Sequence, residues 1–263
     1  MILSRRAALN GNQLDQEDSR IVIRSLDPGV PQEELTTADL MGGSGSRITG
    51  QHVRSLDALV GWALDIPKKQ LASRKTIFDK VNKWALQKGW LTFGHMSGKR
   101  LHVDKVILPS AGDLFDWTKD FQITFRALRV PFWQDSTATT ASIAAADENT
   151  GSITVPGTVT TVCDAEITNA NGSTIDTLSV AVGDSSFSFT NLGLADGERL
   201  VIGHEDDGTL YIRKYTGVSY FVRVMDKRSG GSADDLYVEP GANTITITGG
   251  DVTATVSCYG RYV

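Results

Sequence analysis

From residue 151 to its last residue, the chain is cut into short pieces by glycine-bearing turn dipeptides. These are Asn171-Gly172, Gly183-Asp184, Asp196-Gly197, Asp207-Gly208, Gly230-Gly231, Pro240-Gly241 and Gly249-Gly250. Asn-Gly and Asp-Gly supply the positive φ angles that hairpin turns demand. The pieces between them predict strands over 152–155, 162–168, 175–182, 185–190, 199–202, 209–215, 220–225, 234–238, 243–248 and 252–259. No helix of convincing length fits. The expected architecture is an antiparallel β-sandwich or jelly roll.

Residues 1–135 read differently. A strand over 19–26 alternates around Ile21 and Ile23 and stops at Asp27-Pro28-Gly29. Residues 33–45 are polar and run into Met41-Gly42-Gly43-Ser44-Gly45-Ser46, which predicts a mobile loop. Leu56, Ala58, Val60, Trp62, Leu64 and Ile66 then recur at every second position, a strand in which Gly61 marks a bulge. One helix is expected, over about 73–88. Ser73 is its N-cap, and Ile77, Val81 and Trp84 form a stripe widened by Phe78 and Ala85. Lys80, Lys83 and Lys88 lie off that stripe, and Gly89 suits a left-handed C-terminal residue. Strands over 90–93, 100–108 and 120–130 follow. In the last of these, Phe121, Ile123, Phe125 and Ala127 share one face, before Pro131, Phe132 and Trp133 end it. The fold class is mainly β: an N-terminal β-sandwich-like domain with one α-helix, then a C-terminal antiparallel β-sandwich.

Charge and aromatic content divide the chain in the same way. Residues 1–135 hold 19 Lys and Arg against 15 Asp and Glu, whereas residues 136–263 hold 7 against 16. All five tryptophans (Trp62, Trp84, Trp90, Trp117 and Trp133) lie in the first part. Separate cores are therefore expected in a domain over 1–135 and a domain over 151–263. The small, polar stretch 136–150 is expected to link them. A chain of 263 residues buries enough surface to be stable without a metal or a disulfide. No apolar run reaches membrane-spanning length, and the start has no apolar stretch behind Arg5 and Arg6, so no signal peptide is read and synthesis in the cytoplasm is expected. Cys163 and Cys258 then read as buried free thiols.

A search for chemistry finds little. There is no GxSxG, HExxH or GxxxxGK[ST] motif, and Gly42-Gly43-Ser44-Gly45-Ser46 has no helix behind it to make a phosphate cradle. His52, His95, His102 and His204 stand singly and read as surface or strand residues. Glu205-Asp206-Asp207-Gly208 is the one acidic cluster able to approach a cation, but it lacks EF-hand spacing and reads as a hairpin turn. Asp104, Asp113, Asp116, Asp234 and Asp235 are the only carboxylates that invite a glycosidase reading. Lys68, Lys69, Lys80, Lys83 and Lys88 make a mild basic patch without interleaved aromatics, which argues against nucleic-acid recognition. No catalytic, cofactor or metal residue is assigned.

The order of parts carries a resemblance. A β domain with one helix ends in Pro131-Phe132-Trp133. A sandwich follows, opened by Gly151-Ser152-Ile153-Thr154-Val155-Pro156-Gly157, and a late turn holds Val238, Pro240, Gly241 and Asn243. This resembles the distal tail proteins, baseplate hub components of long-tailed, siphovirus-type phages. There a strand ends in a proline with two aromatics, and a leucine-x-proline-glycine-x-asparagine turn leads into a strand, with valine replacing leucine here. The resemblance implies a galectin-like or carbohydrate-module-like second domain. It implies a homohexameric ring at the virion tail tip, formed by the first domain beneath the tail tube. Tail-associated lysin or fibre would lie below it and receptor-binding proteins around it, with no enzymatic activity and no cofactor. Residues 33–46 and the 96–100 turn are expected at the contact between ring subunits. The rival reading is a carbohydrate-binding module that takes host-surface glycans. The second domain has no tryptophan, and Tyr211, Tyr215, Tyr220, Tyr237, Tyr259 and Tyr262 are expected in core or interface packing. A hydrolase needs a carboxylate pair in one cleft.

Overall fold

The computed structural model describes residues 5–39, 46–67, 70–110, 120–145, 149–231 and 234–263, with backbone only for 35–39 and 46–52. The chain divides into two compact units, Met1–Trp133 with Val263, and Gln134–Tyr262.

The first unit runs β1 (Ala7–Leu9), β2 (Asn12–Gln13), α1 (Leu14–Glu17), β3 (Ile21–Asp27), β4 (Pro31–Asp39) and β5 (Ser46–Leu64). It continues with α2 (Leu71–Ala85), β6 (Gly89–Phe93), β7 (Lys99–Val103), β8 (Lys105–Ile107) and β9 (Asp120–Ala127). One sheet carries the order β2-β1-β6-β7, and the other the order β3-β5-β9-β8, with β4 paired to β5. Leu56, Ala58, Val60, Trp62 and Leu64 of β5 are all buried, as the two-residue period predicts. Directly opposite them across the ladder stand the buried Ala127, Phe125, Ile123 and Phe121 of β9.

Helix α2 buries Ile77, Phe78, Val81 and Trp84. Phe78 meets Phe121 edge-on at 5.5 Å, and Trp84 meets Phe125 edge-on at 5.8 Å. The indole Nε1–H of Trp84 donates to Asn12 O at 2.9 Å. The stripe is as expected, but the boundaries differ. Helix α2 starts at Leu71, two residues before Ser73, with no side-chain cap, and ends at Ala85 because Lys88 (φ 55°) and Gly89 (φ 99°) both turn left-handed into β6.

Three more expectations are corrected. Residues 33–39 are not loop but part of β4, which pairs with β5 from Pro31↔Leu56 to Asp39↔Ser46. Residues 46–55 of β5 extend beyond the β3 and β9 ladders, where β4 pairs with one of their edges. Residues 40–45 lie outside the described residues. The bulge near Gly61 belongs to its partner: the register shifts between Ile23 and Ser25 of β3, and a Cβ on Gly61 would lie 2.2 Å from Ser25 Oγ. The expected strand over 100–108 is two strands. At Asp104 the chain leaves β7 for β8, and the Asp104 carboxylate accepts the Leu128 and Arg129 N–H groups at 2.7 and 3.1 Å. That clamp also stops β9 at Ala127. Trp133 is buried on Phe93 at 5.2 Å, and its Nε1–H donates to Pro28 O at 2.9 Å.

The second unit contains β10 (Trp133–Asp135) from Gln134 onward, then β11 (Thr139–Ile143), β12 (Thr150–Val155), β13 (Thr161–Asn169), β14 (Leu178–Val182), β15 (Ser185–Phe189) and β16 (Arg199–His204). It continues with β17 (Leu210–Thr216), β18 (Tyr220–Arg223), β19 (Arg228–Gly231), β20 (Tyr237–Val238), β21 (Gly241–Thr248), β22 (Val252–Cys258) and β23 (Arg261–Tyr262). A seven-stranded sheet has the order β11-β22-β13-β16-β17-β18, with β20 against β13, and a five-stranded sheet has the order β12-β21-β14-β15-β19. One core joins them, including Ile167, Leu200, Ile202 and Val256 of the first sheet and Val180, Phe187, Ile245 and Ile247 of the second. This is an antiparallel β-sandwich. The two-residue turn Gly183-Asp184 closes β14 on β15 with Val182 opposite Ser185, and Gly183 holds the positive φ (57°) that this turn needs.

The expected linker 136–150 is also corrected. Thr139–Ile143 is β11, paired residue for residue with β22 from Thr139↔Cys258 to Ile143↔Ala254, and Ile143 is buried. Its Thr, Ala and Ser side chains hide the strand because the backbone ladder, not apolar bulk, holds an edge strand.

Candidate interaction face

The outer face of the seven-stranded sheet is where the second unit concentrates exposed chemistry. Ile212 of β17 points into the core, so Tyr211, Arg213 and Tyr215 point outward. Tyr215 stands opposite Phe221 and Arg213 opposite Arg223 on β18, which puts all four on that face. The Tyr215 and Phe221 rings lie 5.5 Å apart. The Arg213 guanidinium sits 3.9 Å from the Tyr211 ring centroid and 5.0 Å from that of Phe221, while Arg199 lies 5.3 Å from Tyr215. Glu205 accepts from Arg213 at 2.8 Å and Glu166 from Arg199 at 2.7 Å, so the arginines are oriented from two sides.

The result is a layer of stacked aromatic rings and guanidinium groups. Such a layer offers apolar ring faces and forked N–H donors to a ligand with hydroxyl or acidic groups. Strand β18 ends the sheet. All four of its residues are exposed, and Val218 beside it is 89% exposed. Tyr211 and Tyr215 therefore do not pack in the core, which was one of the two placements, core or interface, expected of them. They face outward because the alternation of β17 is set by Ile212.

Beside this face stands a cluster that the sequence concealed. His204, at the end of β16, has Nδ1 2.6 Å from Asp164 of β13 and Nε2 2.8 Å from Asp235. Burial works to lower its pKa, but the hydrogen bonds to Asp164 and Asp235 and their two negative charges outweigh that, and the pKa is raised to about 9. His204 is thus a buried imidazolium holding two carboxylates, not a lone strand histidine. Asp164 and Asp235 are 40 and 31 residues away, and no spacing in the sequence marks them.

The other expected residues fall elsewhere. His95 stacks on Phe93, and His102 packs edge-on against Trp90 with Nδ1 3.6 Å from Asp104. The side chain of His52 and residues Lys68, Lys69, Asp113 and Asp116 lie outside the described residues. Asp104 is held by Arg129 in the first unit and Asp235 by His204 in the second. In the acidic turn, Glu205 N–H donates to Thr209 O at 3.0 Å, Gly208 N–H donates to Glu205 O at 2.8 Å, and Asp207 accepts the Thr209 N–H at 2.9 Å. It closes the β16–β17 hairpin. Among the described residues no group of three or more His, Cys, Asp or Glu is placed to hold a metal ion, and no helix is long and apolar enough to cross a membrane.

No protein-family model matches this chain, and no curated protein matches it by sequence. Solved structures of low sequence identity are similar. The baseplate of phage P2 in its activated conformation with calcium superposes over 93% of this chain and 92% of that one, at 8% identity and a TM-score of 0.45. The crystal structure of SPP1 Dit (gp 19.1), a paradigm of the hub adsorption apparatus in phages that infect Gram-positive hosts, is similar at 10% identity. It covers 98% of this chain and 99% of the Dit chain with a TM-score of 0.67, so the two-unit, mainly β chain described above has the Dit fold.

Proposed function

We propose that this chain is a distal tail protein, a structural component of a phage tail tip that assembles as a ring between the tail tube and the baseplate. The observation that carries this reading is the match to SPP1 Dit from end to end of both chains. A lone sandwich would match many modules, whereas two different β units in the same order, with a single long helix in the first, are far less common. In this reading the protein is not an enzyme, and its partners are copies of itself, the tube above, and lysin, fibre or receptor-binding proteins below and around it. The ribbon made by β4 and the outer part of β5 is the element of the first unit best suited to reach a neighbouring copy, because its two strands extend past the sheet. Light scattering on a sizing column with negative-stain imaging tests the reading. A ring of roughly six copies, alone or with tube protein added, is expected. No ring under either condition overturns it.

One observation favours a second role for the same protein. The outward layer of Tyr211, Arg213, Tyr215, Phe221 and Arg199 has the ring faces and oriented donors that host-surface glycans engage. Binding on a glycan array, lost in the variant carrying Tyr211→Ala and Phe221→Ala, is the expected result. Equal binding by that variant overturns it.

A further inference from the structure

Cys163 and Cys258 stand directly opposite each other on adjacent antiparallel strands, β13 and β22. Both point into the sandwich core, and both are free thiols. Antiparallel pairs come in two kinds, and the backbone tells which this is. The Cys163 N–H donates at 2.9 Å to Leu236 O, on the side of β13 away from β22. The Asn169 N–H, an even number of residues along, likewise leaves β22 and donates to Glu198 O at 3.0 Å. Cys163 and Cys258 are therefore a non-hydrogen-bonded pair. In such pairs the Cα atoms are about 4.5 Å apart and the side chains are closest. That spacing falls within the roughly 4.4–6.8 Å over which a disulfide can close. The two sulfurs already interact: the Cys163 thiol hydrogen-bonds to Cys258, which holds Cys258 below the ordinary thiol pKa and pushes Cys163 above it.

We infer that Cys163 and Cys258 are a latent cross-strand disulfide, closed by a small peroxide-class oxidant, that staples the last residue of β22 to the first part of β13 in the seven-stranded sheet. Cys258, whose thiolate accepts the Cys163 S–H, is the first nucleophile. Its sulfur attacks one peroxide oxygen, the O–O bond breaks, and a sulfenic acid forms as the first water leaves. Cys163 then gives up its proton and attacks the sulfenic sulfur. The S–S bond forms, and the sulfenic oxygen leaves as the second water. The two thiols together lose two electrons and two protons, and one peroxide becomes two waters. A small oxidant is required because both sulfurs are in the core, where a bulky disulfide reagent has no room. The inference rests on the strand register alone and stands whether or not the protein forms a ring.

The test uses the full chain with one equivalent of hydrogen peroxide, followed by denaturation, thiol titration, intact mass and peptide mapping. Both thiols should disappear, the mass of the monomer should fall by two hydrogens, and a linked peptide should contain residues 163 and 258. The melting transition of the oxidised chain should rise by roughly 10 °C and return on reduction. Cys163→Ser and Cys258→Ser should each abolish the rise. The treatment is repeated in urea below the unfolding transition, so that slow access is separated from wrong geometry. Thiols that still titrate there overturn the inference, as do added oxygens without a link or covalent dimers.

Discussion

His204 is the residue on which most chemistry of the second unit converges, and its ionisation makes a pH prediction. A histidine whose folded pKa is raised to about 9 stabilises the fold fully below its unfolded value, near 6.5. That stabilisation is lost as the pH rises through about 9. The melting temperature of the chain should therefore fall between about pH 7 and pH 9.5, and in His204→Asn this decline should largely vanish. An unchanged slope in the variant would show that other groups set the alkaline limit. Removing the imidazole also leaves Asp164 and Asp235 close together, with Asp235 mostly buried. His204→Ala should accordingly cost about 3 kcal/mol of second-unit stability, measured by urea unfolding at pH 7. None of this was readable from the sequence, where His204 is a histidine following a glycine at the end of a β-rich run. A pair of contacts from β13 and from the segment before β20 gives it its charge.

Elements were legible where packing imposes a period. The β5 alternation and the α2 stripe both follow from one-sided burial, and Trp84 joins them by filling the space over Phe125 while donating to Asn12 O. Trp84→Ala should destabilise the first unit by about 4 kcal/mol and Trp84→Phe by clearly less, as read by chemical denaturation. Equal losses would mean that the hydrogen bond outweighs the packed volume. Elements were illegible where backbone pairing does most of the holding. Apart from Pro31, Leu35 and Ile143, strands β4 and β11 are made of polar and small residues, yet β4 runs along β5 and β11 runs along β22. This yields a prediction about boundaries. A fragment beginning at Gln134 should unfold cooperatively, while one beginning at Gly151 loses the β11 ladder and the buried Ile143. It should be weaker by about 3 kcal/mol. Equal stability of the two fragments would restore the linker reading.

At the scale of the whole molecule, the proposed ring makes a prediction about the ribbon of β4 and β5. Shortening it by removing 36–39 and 46–49 with the residues between them should leave the melting temperature within a few degrees, since those residues lie beyond the β3 and β9 ladders. The same change should abolish ring formation in light scattering and negative stain. A ring that still closes would move the contact to another part of the first unit, such as the 96–100 turn.

Local patterns along the chain were enough to read the class and the order of parts. Turn dipeptides with positive φ cannot be accommodated inside helices, and two-residue burial periods cannot be satisfied by any element but a strand. It therefore pointed to a mainly β chain with one long helix, and the resemblance followed from the order of parts. Tertiary structure alone decided what brings distant residues together. The strand register set Cys163 opposite Cys258, turned Tyr211 and Tyr215 outward, and carried Asp164 and Asp235 to His204. Register is a property of pairs of strands separated by dozens of residues, and a one-residue slip would exchange every inward side chain for an outward one. A local pattern records the period of a strand but not its partner.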